Sequence, residues 1–164
     1  MSLLSEWSLR RVLLAGLPGD MLRAMESQLC AVGARPFHAS VPFGEESLSR
    51  ALQQHRCACV IVPDLLALHP CDPQARLAAL DMLLFEAREA GVPLALLLGR
   101  ATAAHRDETA QLFSLGQGWA RGAFGDPVSV LCIRHEDADV HRVCHEALIQ
   151  GAQFLADASK QKSE

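Results

Sequence analysis

The sequence predicts an α/β domain in which a parallel β-sheet is covered by helices on both faces, a three-layer sandwich. Short apolar runs alternate along the chain with longer helical patterns, and this alternation is typical of parallel sheets flanked by helices. The chain has 164 residues, 50% of them apolar, which is enough for one core of substantial size. Because crossover connections are right-handed, we expect about five strands in the order 2-1-3-4-5.

Five segments are predicted as strands because each is short, apolar and bounded by turn residues. They are residues 11–15, 36–40, 57–62, 93–98 and 128–133. Five helical patterns lie between or after them, at residues 20–32, 45–55, 73–90, 107–121 and 137–158. We therefore expect a single domain over residues 1–158 and a frayed polar tail at residues 159–164.

The helix boundaries follow from residues that start or stop helices. Gly33 ends the first helix, and the turn at residues 42–44 precedes the second. Asp72 is a capping residue for the third helix, Pro73 suits its first turn, and Gly91 follows its last residue. These signals predict a third helix of about five turns.

Charge and hydropathy argue against several partners. The formal net charge is -4 and the sequence contains no basic run, so we expect neither nucleic acid nor an anionic membrane as a partner. No apolar stretch reaches the roughly 18 residues that span a bilayer. The first residues also lack the basic start and long apolar core of a secretion signal, and we expect a cytoplasmic protein.

The six cysteines show no C-x-x-C spacing and lie in apolar segments. This pattern predicts reduced core residues and no disulfide framework. Cys57 and Cys59 alternate along the predicted third strand, so we expect both side chains on one face of the sheet.

Residues 12–22, "VLLAGLPGDML", carry a strand, a glycine turn and the start of a helix, as Rossmann-like nucleotide-binding domains do at their beginning. Gly16 and Gly19 fit the first two positions of a G-x-x-G-x-x-G turn, but Leu22 holds the third. Strand-glycine-helix junctions occur in α/β folds of every function, so the sequence favours a structural turn. The candidate ligand residues are Gly16, Leu17, Pro18 and Gly19, with Asp64 and Thr102 across the cleft.

Residues 59–99, "CVIVPDLLALHPCDPQARLAALDMLLFEAREAGVPLALLLG", resemble the middle of extended short-chain dehydrogenases, especially the sugar-nucleotide reductases that make dTDP-rhamnose. With residues 12–22 before it and "DPVSVLCIRHED" after it, the likeness runs from about residue 10 to about residue 136. It implies a Rossmann-like fold and a site for NAD(P) or a sugar nucleotide. It also implies pairing of two chains, or of this chain with another protein, through helices 73–90 and 107–121.

The chain departs from this family at its chemistry. The family's reaction uses a Tyr-x-x-x-Lys pair, but this chain has no tyrosine, and its two lysines are Lys160 and Lys162. Thr102 lies late for the residue that orients the substrate carbonyl. Residues 38–40, His-Ala-Ser, stand where an NAD site wants an acidic residue. We expect no dehydrogenase or epimerase activity, no catalytic residues and no required cofactor, with NAD(P) or a nucleotide as an alternative ligand.

The third helix is apolar nearly all round, whereas a one-sided helix shows a stripe. Its apolar residues are Leu77, Leu80, Met82, Leu83, Leu84 and Phe85. This pattern predicts two buried faces. One faces the sheet, and the other is covered either by a partner subunit or by the fourth helix.

Three further patterns have a functional and a structural interpretation. Asp64 follows the third strand, where a receiver domain carries its phosphorylated Asp, but the second metal ligand and the lysine of that site are missing, which favours a capping role. The histidines of "RHEDADVHRVCHE" with Cys144 resemble a zinc cluster. No second ligand pair with metal spacing occurs elsewhere in the sequence, and the acidic residues suit a helix start, so a solvated helix start and no metal are favoured. Trp119 either lines a pocket or anchors the fourth helix, and the second is favoured.

The sequence leaves two main functional hypotheses. The first is a non-catalytic Rossmann-like module, a degenerate short-chain dehydrogenase that serves as a scaffold or regulatory subunit. The second is a binding protein for a nucleotide or sugar nucleotide at the glycine turn. A receiver-like signalling domain is a third alternative. The missing acidic residue and Leu22 weigh against tight dinucleotide binding, which favours the first hypothesis.

Overall fold

A computed structural model of the protein describes residues 2–39, 48–136 and 139–162. Its sheet has five parallel strands in the order β2-β1-β3-β4-β5, as predicted. The strands are β1 (Arg11–Ala15), β2 (Arg35–Ala39), β3 (Cys59–Val62), β4 (Ala95–Arg100) and β5 (Val130–His135).

Helices follow each strand and lie on both faces of the sheet. They are α1 (Asp20–Ala31), α2 (Leu48–His55), α3 (Pro73–Glu89), α4 (Arg106–Ala120) and α5 (Val140–Lys162). Two short 3-10 helices, η1 (Leu3–Trp7) and η2 (Leu65–Ala67), were not predicted. The third helix begins as expected, because Asp72 accepts a hydrogen bond from the Ala75 N–H at 2.8 Å.

Alternate residues of the strands build two separate apolar layers. Val12 and Leu14 of β1 face α1 and α5, and they pack with Met25 and Leu148. Leu13 faces the other side, where α2, α3 and α4 pack. β1, β3 and β4 are therefore covered on both faces, which is why they read as continuous apolar runs.

Several boundaries differ from the prediction. β3 starts two residues late, β4 and β5 are shifted by two residues toward the carboxyl terminus, and β2 starts one residue early. Pro93 lacks an N–H, and Ala95 is the first residue of β4 that pairs with β5, opposite Val130. The predicted end of β2 at residue 40, the turn at 42–44, the start of α2 at 45 and the start of α5 at 137 lie outside the described residues.

The cysteine predictions are partly wrong. Cys59 packs against α1 and α5, whereas Cys57 precedes the strand and packs on the opposite side of the sheet, so the two do not share a face. Cys30 and Cys71 are exposed, so the expectation of six core cysteines fails for them. Burial raises the pKa of the Cys144 thiol to about 12, which favours the neutral thiol.

The last helix is longer than predicted. α5 continues past Ala158 to Lys162, so most of the predicted tail is helical, while residues 163–164 lie outside the described part. Trp7 of η1 is fully buried and donates its indole N–H to the carbonyl of Leu148 at 2.8 Å, which fixes η1 against α5. In the described residues, no helix is long and apolar enough to cross a membrane.

Candidate functional site

A cavity of about 250 Å³ opens at the carboxyl ends of β1 and β3. In the sheet, β2 lies next to β1 on one side and β3 lies next to it on the other. The strand order reverses at β1, and such a switch point is where open α/β sheets bind ligands. The lining residues come from the glycine turn, α1, the β3 end, β4 and α5. They are Ala15, Gly16, Leu17, Gly19, Asp20, Met21, Leu22, Pro63, Asp64, Ala67, Arg100 and Val140.

Gly16 is required by the packing of η2 against the turn. Its φ of +128° is one that residues with a side chain rarely adopt. A Cβ at this position would lie 3.2 Å from the carbonyl oxygen of Ala67. The close approach of the Ala67 carbonyl therefore explains why a glycine stands at this position.

Two N–H groups of the turn donate to the chain's own carbonyls. Gly16 donates to the Ala39 carbonyl at 3.1 Å, and Leu17 donates to the Ala67 carbonyl at 2.8 Å. The ring of His38, at the position where an NAD site wants an acid, donates from Nε2 to the Gly16 carbonyl at 2.6 Å. These bonds fix the turn to β2 and η2 and leave neither the Gly16 nor the Leu17 N–H for a phosphate.

Gly19 is the N-cap of α1 and differs from Gly16. Its φ of -170° is ordinary extended backbone, and no atom lies within 4 Å of the place where a Cβ would stand. It has no side chain with which to cap the helix. The first N–H groups of α1, with the positive end of the helix dipole, are thus directed toward the cavity.

An ion pair closes the other side of the cavity. A guanidinium nitrogen of Arg100, the last residue of β4, lies 2.8 Å from Oδ2 of Asp64. Oδ1 of Asp64 accepts from the Leu66 N–H at 3.1 Å and caps η2, which confirms the predicted capping role. The Thr109 hydroxyl donates to the Arg100 carbonyl at 2.6 Å and fixes the end of β4.

Four of the six predicted ligand residues meet at this cavity. Gly16, Leu17, Gly19 and Asp64 line it, whereas Pro18 and Thr102 do not. Thr102 lies beyond β4, where its carbonyl accepts from the His105 N–H ahead of α4. β4 extends two residues past its predicted end. That shift places Arg100 at the cavity instead, and the sequence analysis missed it.

The fourth helix covers the second apolar face of α3. Leu80 and Leu84 are fully buried within the chain itself, so neither is available to a partner subunit. The large apolar side chains that α3 does expose are Met82 and Phe85, at 52% and 44% of their surface. Phe124, in the loop after α4, is exposed at 50%. We call these three residues the α3–α4 patch.

Arg88 holds the α3–α4 patch together. Its guanidinium lies 5.2 Å from the ring centre of Phe85 and 5.0 Å from that of Trp119. It also donates to the Phe124 carbonyl at 2.8 Å. Trp119 is buried and donates to the Asp81 carboxylate at 2.9 Å, which confirms that it anchors α4.

The histidine cluster does not converge. Cys144 is buried and its thiol lies 3.7 Å from the Met21 carbonyl, whereas His141 and His145 are exposed. Within the residues that the structure describes, no group of three or more His, Cys, Asp or Glu side chains is placed to hold a metal ion.

A comparison with models of known protein families found no match for this chain, and a comparison with curated proteins found none either.

Proposed function

We propose that this protein is a non-catalytic Rossmann-like module that binds another protein chain, a second copy or a different protein, through the α3–α4 patch. The observation that carries the proposal is the exposure of Met82, Phe85 and Phe124 on one side of the α3–α4 pair. Exposed apolar patches of this kind mark protein-binding surfaces. The resembled dehydrogenases also pair their subunits through these two helices.

The geometry of the patch suits a protein partner. The Phe85 ring packs against the Arg88 guanidinium, and the Phe124 ring packs against Trp119, so less conformational entropy is lost on binding. Aromatic residues, methionine and arginine are enriched in protein interfaces. The patch thus combines apolar side chains with a guanidinium that can donate hydrogen bonds to a partner's carboxylate or carbonyl oxygen.

The residue types near the cavity also support a role without catalysis. The chain has no tyrosine. Lys160 lies in the last turns of α5, about 30 Å along the helix from Val140 at the cavity. The family's proton relay therefore has no counterpart near the glycine turn, which supports a role without dehydrogenase chemistry.

Light scattering over a concentration series tests the proposal for a second copy, and photocrosslinking from position 82, which is exposed and unchanged in the test variant, tests it for another protein. We expect a dimer, or a crosslinked partner, that is lost in the Phe85→Ser, Phe124→Ser double variant. The matched control is Ile149→Ser, which changes an exposed apolar residue of α5 on the other face of the sheet. A monomer without a crosslinked partner, or equal loss in the control, contradicts the proposal.

A second function, binding of a nucleotide or sugar nucleotide, is favoured by one observation: the uncapped start of α1 faces Arg100 across the cavity. Thermal denaturation with NAD, NADP, nucleotides and nucleotide sugars tests this second function. A ligand present at 100 times its Kd adds about 2.7 kcal/mol to the free energy of unfolding. Gly19→Leu fills the cavity mouth without a backbone clash. A rise in Tm that this variant abolishes supports the second function. The absence of a rise with every compound contradicts it.

A further inference from the structure

Four arginines from three segments of the chain meet at the amino-terminal edge of the sheet, opposite the cavity. Arg11 and Arg35 are register partners in β1 and β2, so their side chains point to the same face. Arg10 directly precedes β1, and its carbonyl accepts from the Arg35 N–H at 2.8 Å. Arg56 lies in the loop before β3, next to the point where the Ala58 N–H donates to the Arg11 carbonyl.

An open groove of about 510 Å³ runs between Arg10, Arg11 and Arg56, and Arg35 stands beside Arg11 in the strand register. It is lined by Leu9, Arg10, Arg11, Gln54, Arg56 and Ala58. Leu9 is 70% exposed, more than any other large apolar side chain in the described residues. The groove therefore presents guanidinium groups around an uncovered leucine.

The positive charge of the groove is only partly neutralised. Glu6 lies 3.6 Å from the guanidinium of Arg10. In the described residues, Arg35 and Arg56 have no carboxylate partner. The chain as a whole carries a net charge of -4, whereas this edge gathers positive charge, which favours acidic partners.

The backbone at the groove is in an unusual conformation. Leu9 and Arg56 have φ values of +64° and +50°, and they are the two non-glycine residues of the described chain with positive φ. Both line this groove. Bulky residues rarely adopt this conformation, and such strain concentrates at binding sites.

We infer that this edge binds an acidic segment of another protein, one that carries an apolar side chain among its carboxylates. Guanidinium groups pair with carboxylates in defined geometry. Leu9 gives the apolar side chain a contact that a nucleic-acid backbone would leave unused. The inference is independent of the α3–α4 patch, because the two surfaces share no residue.

Fluorescence anisotropy with a short labelled peptide, a single leucine flanked by aspartates and glutamates, tests the inference. We expect binding that weakens as salt is raised. The Arg35→Gln, Arg56→Gln double variant should lose affinity about tenfold or more. The matched control is Arg23→Gln, Arg142→Gln, which removes the same charge from exposed residues at the opposite edge of the sheet.

Two further probes distinguish the proposed acidic segment from other ligands. On the wild type, a peptide with serine in place of leucine should bind more weakly than the leucine peptide. On the Leu9→Ser variant, the two peptides should bind equally well. A single-stranded oligonucleotide of the same charge should bind more weakly than the leucine peptide. The inference is overturned by absent peptide binding, by equal losses in the test and control variants, by indifference to the leucine, or by tighter binding of the oligonucleotide.

Discussion

Two glycines three residues apart, Gly16 and Gly19, serve different purposes. Gly16 needs a left-handed backbone beside the Ala67 carbonyl, whereas Gly19 has ordinary extended backbone and open space. In the G-x-x-G-x-x-G motif, both positions are phosphate-binding glycines. In the structure, the first is explained by internal packing, and the second is the one with room for a ligand.

The same substitution at both glycines tests this difference. Gly16→Ser should lower the free energy of unfolding by about 1–3 kcal/mol, because a side chain is strained at φ +128° and meets Ala67. Gly19→Ser should raise it by about 0.3 kcal/mol, since a serine hydroxyl can cap α1. Urea denaturation of the two variants measures both changes. Equal losses at the two positions would contradict this account of Gly16.

At the scale of elements, η1 and α5 fit together through a glycine. A Cβ on Gly151 would lie 2.6 Å from a ring carbon of Trp7. Helix propensity alone favours alanine over an interior helical glycine by about 1 kcal/mol. The clash with a buried ring costs about 1–3 kcal/mol, so the packing term is the larger one.

We therefore expect Gly151→Ala to destabilise the protein by about 1 kcal/mol despite its better helix propensity. In a Trp7→Leu background, where the ring is gone, the same substitution should stabilise by up to about 1 kcal/mol. Urea denaturation of the wild type, the two single variants and the double variant measures whether the effect of Gly151→Ala on stability changes sign. A stabilising Gly151→Ala in the wild-type background would refute the proposed packing conflict.

The first turns of α3 and α4 are joined by an ion pair. A guanidinium nitrogen of Arg76 lies 3.1 and 3.0 Å from the two oxygens of Glu108, and the side chains are only 18% and 19% exposed. Glu108→Gln should cost about 1–2 kcal/mol of stability, because a sheltered charged hydrogen bond is weakened. The control Glu146→Gln removes an exposed pair with Arg142 and should change stability by less than about 0.5 kcal/mol. Thermal denaturation measures the loss of stability in both variants. Equal losses would show that the sheltered pair contributes no more than the exposed one.

On the scale of the whole molecule, the buried thiols make stability depend on alkaline pH. Burial raises the pKa of Cys57 and of Cys132 to about 11 and that of Cys144 to about 12, from an ordinary 9.0. Because the folded pKa is higher, the neutral thiols favour the folded state below pH 9. This contribution is lost as the pH rises from 9 toward 11–12.

Urea denaturation at several pH values under reducing conditions tests this dependence. Between pH 9 and 11, the stability of the wild type should fall more steeply than that of Cys144→Ala, by about 1.4 kcal/mol per pH unit for the one proton involved. Cys30→Ala is the control, because Cys30 is exposed. Parallel curves for the wild type and Cys144→Ala would show that this thiol ionises equally in both states.

The sequence by itself determined the elements and their order. The period of apolar residues, the cap at Asp72 and the glycines that end α1 and α3 are local signals, and each acts within a few residues. Strand order followed from the alternation of strands and helices with right-handed crossovers. Four of the six predicted ligand residues lie at the cavity for the same reason, since parallel strands bring their carboxyl ends to one edge.

Only the tertiary structure decided what surrounds those elements. The contact between Gly16 and Ala67, the ion pair of Asp64 with Arg100, and the meeting of Arg10, Arg11, Arg35 and Arg56 join residues far apart in sequence. Such contacts depend on strand register, and a shift of one residue turns a side chain to the other face of a sheet. The two-residue shift at the end of β4 placed Arg100 at the cavity instead of Thr102. Local patterns carry no information about register between distant strands, because side-chain packing across the whole core sets it.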